Sequence, residues 1–163
     1  MEWFREIKTL VLVFLLQVLL FNHLQIGSWG FPMIYILFLL NLPVRIPRWA
    51  EMLIGVSIGL LMDVWYSSLG VHIAACVMIT FLRPIFLNNM VQDIERIKDN
   101  ICSRTIGARE YTKCVVFLTL IHHFTVYLLE AWSLQNWWII LLQTAISSSM
   151  TLILILGYDR LNN

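Results

Sequence analysis

The sequence predicts an all-α integral membrane protein with six transmembrane helices in three hairpins, and three observations carry that prediction. First, 60% of the 163 residues are hydrophobic and only 13% are charged, against ~45–50% apolar and ~25% charged in ordinary soluble chains. Second, the 11 Lys and Arg residues gather in four places: Arg5 and Lys8, Arg45 and Arg48, Arg83 through Lys113, and Arg160. Third, the intervening stretches 9–44, 49–82 and 114–159 hold no basic residue. At ~20 apolar residues per span, each stretch accommodates two short spans and a tight turn.

The same composition excludes other classes. Disorder is excluded by the missing charge, a collagen-like chain by only 7 Gly and 4 Pro, and a soluble enzyme by the hydropathy. The length allows one domain, residues 1–163. A net charge of +1 argues against a nucleic-acid partner, which demands a basic patch. The 3 Cys residues are odd in number and lack paired spacing, so Cys76, Cys102 and Cys114 are free thiols.

The elements follow in order. Arg5 and Lys8 precede an apolar run as in a signal peptide, but Asn22-His23-Leu24-Gln25-Ile26 lacks a small-residue cleavage site, so an uncleaved helix is expected over 7–24. A turn from Asn22 to Gly30 leads to a second helix over 31–43. The third helix is expected over 50–65 and the fourth over 71–87, with Tyr66-Ser67-Ser68-Leu69-Gly70 reversing the chain between them. Helices two and three look short, since Glu51 and Asp63 bracket only residues 52–62. Membrane thinning or burial among the other helices accommodates such a mismatch.

Residues 88–113 form the one substantial polar segment. Met90, Ile94, Ile97 and Ile101 recur at helical spacing, with Asp93, Glu95, Arg96, Lys98 and Asp99 between them. This pattern predicts an amphipathic helix lying on the membrane surface or against a partner, with a simple connector as the competing reading. Gly107 is the expected break before a fifth helix over 114–132. Ser133-Leu134-Gln135-Asn136 then turns the chain into a sixth helix over 137–157. Six spans put every basic residue on one side, which the positive-inside rule makes cytoplasmic together with both termini. Trp29, Trp65, Tyr66, Trp132, Trp137 and Trp138 fall at the opposite edge, as interfacial aromatics do.

Polar groups inside the spans are the candidate functional residues, because charge at membrane depth is costly and faces protein or water. Gly55 and Gly59 make a G-x-x-x-G packing face that Asp63 continues by one turn. Asp63 is placed to fix the turn before Gly70 or to sit at a wet helix end. His122, His123 and Glu130 on helix five invite a metal site or a proton relay. Yet two ligands on one helix converge only at i, i+3 or i, i+4, and adjacent histidines diverge by ~100°. A structural, hydrogen-bonded role is therefore expected for the histidines, with no metal and no cofactor. Arg83, before Pro84, is expected to snorkel to the interface. Gln17, Gln143 and Ser147-Ser148-Ser149 are expected to be interhelical hydrogen-bonding and close-packing groups. No Ser/His/Asp set, nucleophile elbow or phosphate loop is present, so the chain is not expected to be an enzyme.

The stretch Gly59-Leu60-Leu61-Met62-Asp63-Val64-Trp65-Tyr66-Ser67-Ser68-Leu69-Gly70-Val71-His72 resembles the pattern of the rod-shape-determining MreD family. That pattern is a Gly, an apolar step to Asp, a short turn, and an apolar-Gly pair opening the next helix. His122-His123 and Leu129-Glu130-Ala131-Trp132 look like one branch of that family. The resemblance implies a non-enzymatic subunit of bacterial cell elongation in the inner membrane, paired with the bitopic protein MreC. With it the family links MreB filaments to the RodA glycosyltransferase and its penicillin-binding transpeptidase. It also implies a fold similar to the substrate-binding subunits of energy-coupling-factor transporters. The rival reading is therefore a small-molecule-binding subunit of a membrane transporter.

Overall fold

The computed structural model describes residues 11, 13–20, 30–91, 94, 97, 101–131 and 136–162. Several expectations lie partly or wholly outside these residues: the two ends of the first helix with Arg5 and Lys8, most of the Asn22 to Gly30 turn with Trp29, the charged residues between Met90 and Ile101, and Trp132 with residues 133–135 of the last turn. Residues 13–19 are helical and are called α1. There follow α2 (Ile36–Leu40), α3 (Arg48–Tyr66), α4 (Val71–Met90), α5 (Ser103–Ile106), α6 (Ala108–Glu130) and α7 (Trp137–Asn162). Four of them, α3, α4, α6 and α7, are long and apolar enough to cross a membrane. In sequence order each packs against the next, with α2 against α4 and α6.

The bundle turns large apolar side chains outward and encloses polar ones beside its apolar core. Leu53, Leu60 and Val64 of α3, Phe81 of α4, Phe117 of α6 and Ile153 of α7 face outward. Gln17, Arg83, His122, His123, Ser147 and Thr151 are buried. Water as solvent would drive the opposite arrangement, whereas a hydrocarbon solvent makes the polar groups seek one another inside. The chain is a multi-pass membrane protein.

Several expected boundaries move, the fourth helix running on to Met90 and the last to Asn162. The helix expected over 31–43 reduces to the five residues of α2, preceded by irregular backbone from Gly30 to Pro32 and a turn at Ile34 and Tyr35. Every residue from Met33 to Leu40 is buried. Hydropathy alone does not separate a lipid-facing span from an apolar segment enclosed by other helices, which is what this one is. The third helix is 19 residues long, because Glu51 and Asp63 lie within it rather than at its limits. The fifth begins at Ala108 rather than 114, directly after Gly107, whose φ of +91° breaks the chain where a residue with a Cβ would be strained.

The 88–113 segment also departs from expectation. Helix α4 ends at Met90, Val91 is extended, and α5 is a separate helix of four residues. Ile94 and Ile101 are buried in the core, and Met90 and Ile97 pack against it half-buried. The stripe proposed as a docking face thus has its apolar side chains turned into the protein's own interior. The charged residues between them lie outside the described residues.

Candidate functional site

The site begins at the reversal between α3 and α4. Gly59 brings the two helices together: a Cβ there would lie 2.5 Å from Ile73 Cα and 2.8 Å from His72 O. One turn further along α3, Asp63 closes the contact. Its carboxylate accepts from His72 N and Ile73 N, both at 2.9 Å, and from Ser68 Oγ at 2.5 Å. These two amides belong to the first turn of α4 and have no intrahelical acceptor, so the buried carboxylate supplies it and complements the positive end of the helix. The Asp63 carbonyl accepts from Ser67 N and Ser68 N as well. Gly70, at φ +84°, supplies the left-handed residue from which α4 departs. Gly55 lies on the same face of α3, where a Cβ would meet Thr80 Oγ1 at 2.8 Å.

Around α2, side chains from the surrounding helices satisfy backbone groups that no helix ladder reaches. Gln17 donates to Pro32 O at 3.0 Å and accepts from Ile34 N at 2.7 Å. Thr151 Oγ1 accepts from Met33 N at 3.0 Å and lies within hydrogen-bonding reach of Ser147 O. At the other end of α2, Arg83 donates through Nε to Leu40 O at 3.0 Å and through Nη2 to Leu42 O. Its remaining arm pairs with Glu51 at 2.6 Å, both side chains almost fully buried. Non-helical backbone survives at membrane depth only where protein satisfies it in this way. Arg83 therefore does not snorkel, because three inward acceptors hold it at the carbonyl end of α2, where the helix dipole also favours a cation.

Between these two clusters stands Tyr35. Its hydroxyl lies 2.9 Å from His72 Nδ1 and 2.9 Å from His122 Nε2, and both imidazoles meet its ring edge-on. His123 turns the other way, as adjacent helical residues must. Its Nδ1 donates to Thr119 O at 2.8 Å, which leaves Nε2 a lone pair 3.1 Å from Thr151 Oγ1, whose one hydrogen serves either this nitrogen or Ser147 O. Tyr127 Oη and Ser147 Oγ are 2.6 Å apart. Among the described residues, no three His, Cys, Asp or Glu side chains converge as metal ligands. Glu130 is exposed at the end of α6, about two turns from His123, and is not joined to the histidines.

The structure thus gathers Gly55, Gly59, Asp63 and Gly70 at one helix contact, and brings His122 and His123 into a buried polar interior. It separates Glu130 from them and gives Met90, Ile94, Ile97 and Ile101 to the core. Sequence reasoning missed Tyr35 and Glu51 as site residues and treated His72 only as part of a motif. The signal for the Glu51–Arg83 pair is there to be read: Arg83 is the one charged residue of α4, and Glu51 is an acidic residue on the neighbouring apolar helix. Tyr35 carries no comparable signal, since an aromatic in an apolar run reads as core. Of the cysteines, Cys76 and Cys114 are buried, Cys102 is half-buried, and all three are free. No family model, curated protein or solved structure matches the chain.

Proposed function

We propose that the chain is a non-enzymatic membrane scaffold of the MreD type, acting in bacterial cell elongation. In this reading it lies in the cytoplasmic membrane with six spans and both termini in the cytoplasm, similar in plan to the substrate-binding subunits of energy-coupling-factor transporters. It pairs with an MreC-like bitopic protein and through it links MreB filaments to RodA and a penicillin-binding transpeptidase.

The observation that carries the reading is the Gly59-to-His72 reversal. The residues on which the family resemblance rests make one structural device: Gly59 admits the α4 backbone, Asp63 caps it, and Gly70 turns the chain. A motif used to hold two helices in fixed register suits a protein whose task is to present a rigid surface. The interior supports the same reading, since Gln17, Thr151 and Arg83 direct their polar groups to the backbone around α2.

The test is recovery of partners with the tagged full-length chain from native membranes. An MreC-like bitopic protein in the eluate is the expected result. An energy-coupling ATPase in its place overturns the scaffold and supports the transporter subunit.

A further inference from the structure

Tyr35 Oη is shared between imidazoles from two helices, His72 at the start of α4 and His122 in the middle of α6. All three side chains are excluded from solvent. A phenol has one hydrogen, and a neutral imidazole has one N–H and one lone pair. If Tyr35 donates to His72 Nδ1, His72 carries its hydrogen on Nε2 and His122 donates to Tyr35 from Nε2. If Tyr35 donates to His122 Nε2, both rings instead carry hydrogen on Nδ1. Each arrangement leaves one N–H and one lone pair on the far nitrogens, His72 Nε2 and His122 Nδ1. Both far nitrogens are buried and have no partner among the described residues, a condition that native interiors rarely leave without a use.

We propose that His72, Tyr35 and His122 form a proton relay inside the membrane, each far nitrogen meeting a water admitted to the bundle, so that one takes a proton from hydronium and the other releases one to water. In one direction, hydronium gives its proton to His122 Nδ1 and becomes water. The His122 Nε2 proton passes to Tyr35 Oη, the hydroxyl proton passes to His72 Nδ1, and the His72 Nε2 proton leaves to water. One proton enters and one leaves, no electron moves, and all three groups end neutral in the second arrangement. The next transfer must run in reverse, so the relay is a two-position device rather than an open conductor.

The surroundings leave the far nitrogens to this task. The Tyr66 ring stacks on His72 with centroids 5.0 Å apart, and the His123 ring meets His122 at 5.5 Å. Asp63, the carboxylate nearest His72 along the chain, has its oxygens on His72 N, Ile73 N and Ser68 Oγ, and Glu130 is exposed at the far end of α6. His123 has both ring nitrogens engaged. Cys76 is one turn along α4 and buried. Among the described residues, only Met33 Sδ, 3.8 Å from Tyr35 Oη, competes for the hydroxyl hydrogen, and a thioether is a weak acceptor.

That competitor makes the relay testable. The full-length protein, with ¹⁵N-labelled histidine in lipid nanodiscs, is read by NMR, and the rings are assigned through His72→Gln and His122→Gln. The relay requires that His72 and His122 hold the same tautomer and exchange between both tautomers together. Hydrogen on Nδ1 of His72 with hydrogen on Nε2 of His122 would send the hydroxyl to Met33, and the relay fails. A matched pair that never exchanges makes Tyr35 a fixed strut and equally overturns it. In Tyr35→Phe the two rings should lose their correlation, and retained joint exchange there overturns the role of the hydroxyl. If Tyr35→Phe does not fold, the wild-type tautomers alone decide.

Discussion

Arg83 and Glu51 meet at 2.6 Å with both side chains almost fully buried, yet they are not equal partners. Glu51 gives the pair one acceptor, while Arg83 also holds Leu40 O and Leu42 O. Removing one member of a buried pair costs ~3–5 kcal/mol. Glu51→Gln keeps an oxygen for the guanidinium and should fall at or below the lower end. Arg83→Met abandons two buried carbonyls besides stranding Glu51, so it should be the worse variant. Unfolding in mixed detergent micelles reads the order, and equal losses would mean that the carbonyls of 40 and 42 find other donors.

Helix contacts at the two glycines should respond differently to the same methyl group. At Gly59 the added Cβ meets the backbone of Ile73 at 2.5 Å, whereas at Gly55 it first meets the Thr80 side chain at 2.8 Å. A backbone cannot step aside without moving α4, but a threonine has other rotamers. Gly59→Ala should therefore destabilise by about 1–3 kcal/mol, as overpacking does, and Gly55→Ala by clearly less. Thermal unfolding of both variants in the same detergent decides it.

How much of this was legible in the sequence depends on which solvent each residue was answering to. The four long helices follow from hydropathy and turn residues, because lipid-facing side chains must be apolar and reversals need Ser and Gly. The Asp63 cap was legible as one of two readings, since a carboxylate one helical turn after two glycines and just before a reversal has few places to go. The segment around α2 was not: Ile36–Leu40 is as apolar as any span, and only the placement of Gln17, Thr151 and Arg83 reveals that it is enclosed. The Met90 to Ile101 stripe failed for a related reason. Helical spacing says which residues share a face, but not whether that face meets lipid, a partner or the protein's own core.

The topology proposed above has a direct chemical readout. Ser67 and Asn136 are exposed at one end of the bundle, and Arg109 is exposed at the start of α6. With the native cysteines replaced, Ser67→Cys and Asn136→Cys should react with an impermeant thiol reagent in intact cells. Arg109→Cys should react only after the membrane is opened. External labelling at position 109 would remove the six-span arrangement and the cytoplasmic termini with it.

Asp63 makes the sharpest distinction between a cap and an ordinary polar contact. Capping substitutions to Ala cost about 0.5–2 kcal/mol where water can replace the lost acceptor. Here the acceptor is buried, and Asp63→Ala leaves His72 N and Ile73 N without it, each worth ~1–3 kcal/mol when unsatisfied. Asp63→Asn keeps one carboxamide oxygen and should lie between wild type and Ala, while Ser68→Ala loses only the hydroxyl donor and should lie closest to wild type. Because Asp63 fixes the first turn of α4, it also sets the His72 ring against Tyr35, so Asp63→Ala should broaden the His72 ring resonances as well as lower stability. Loss of stability with an unchanged His72 spectrum would mean that the Tyr35 contact, rather than the cap, positions that ring.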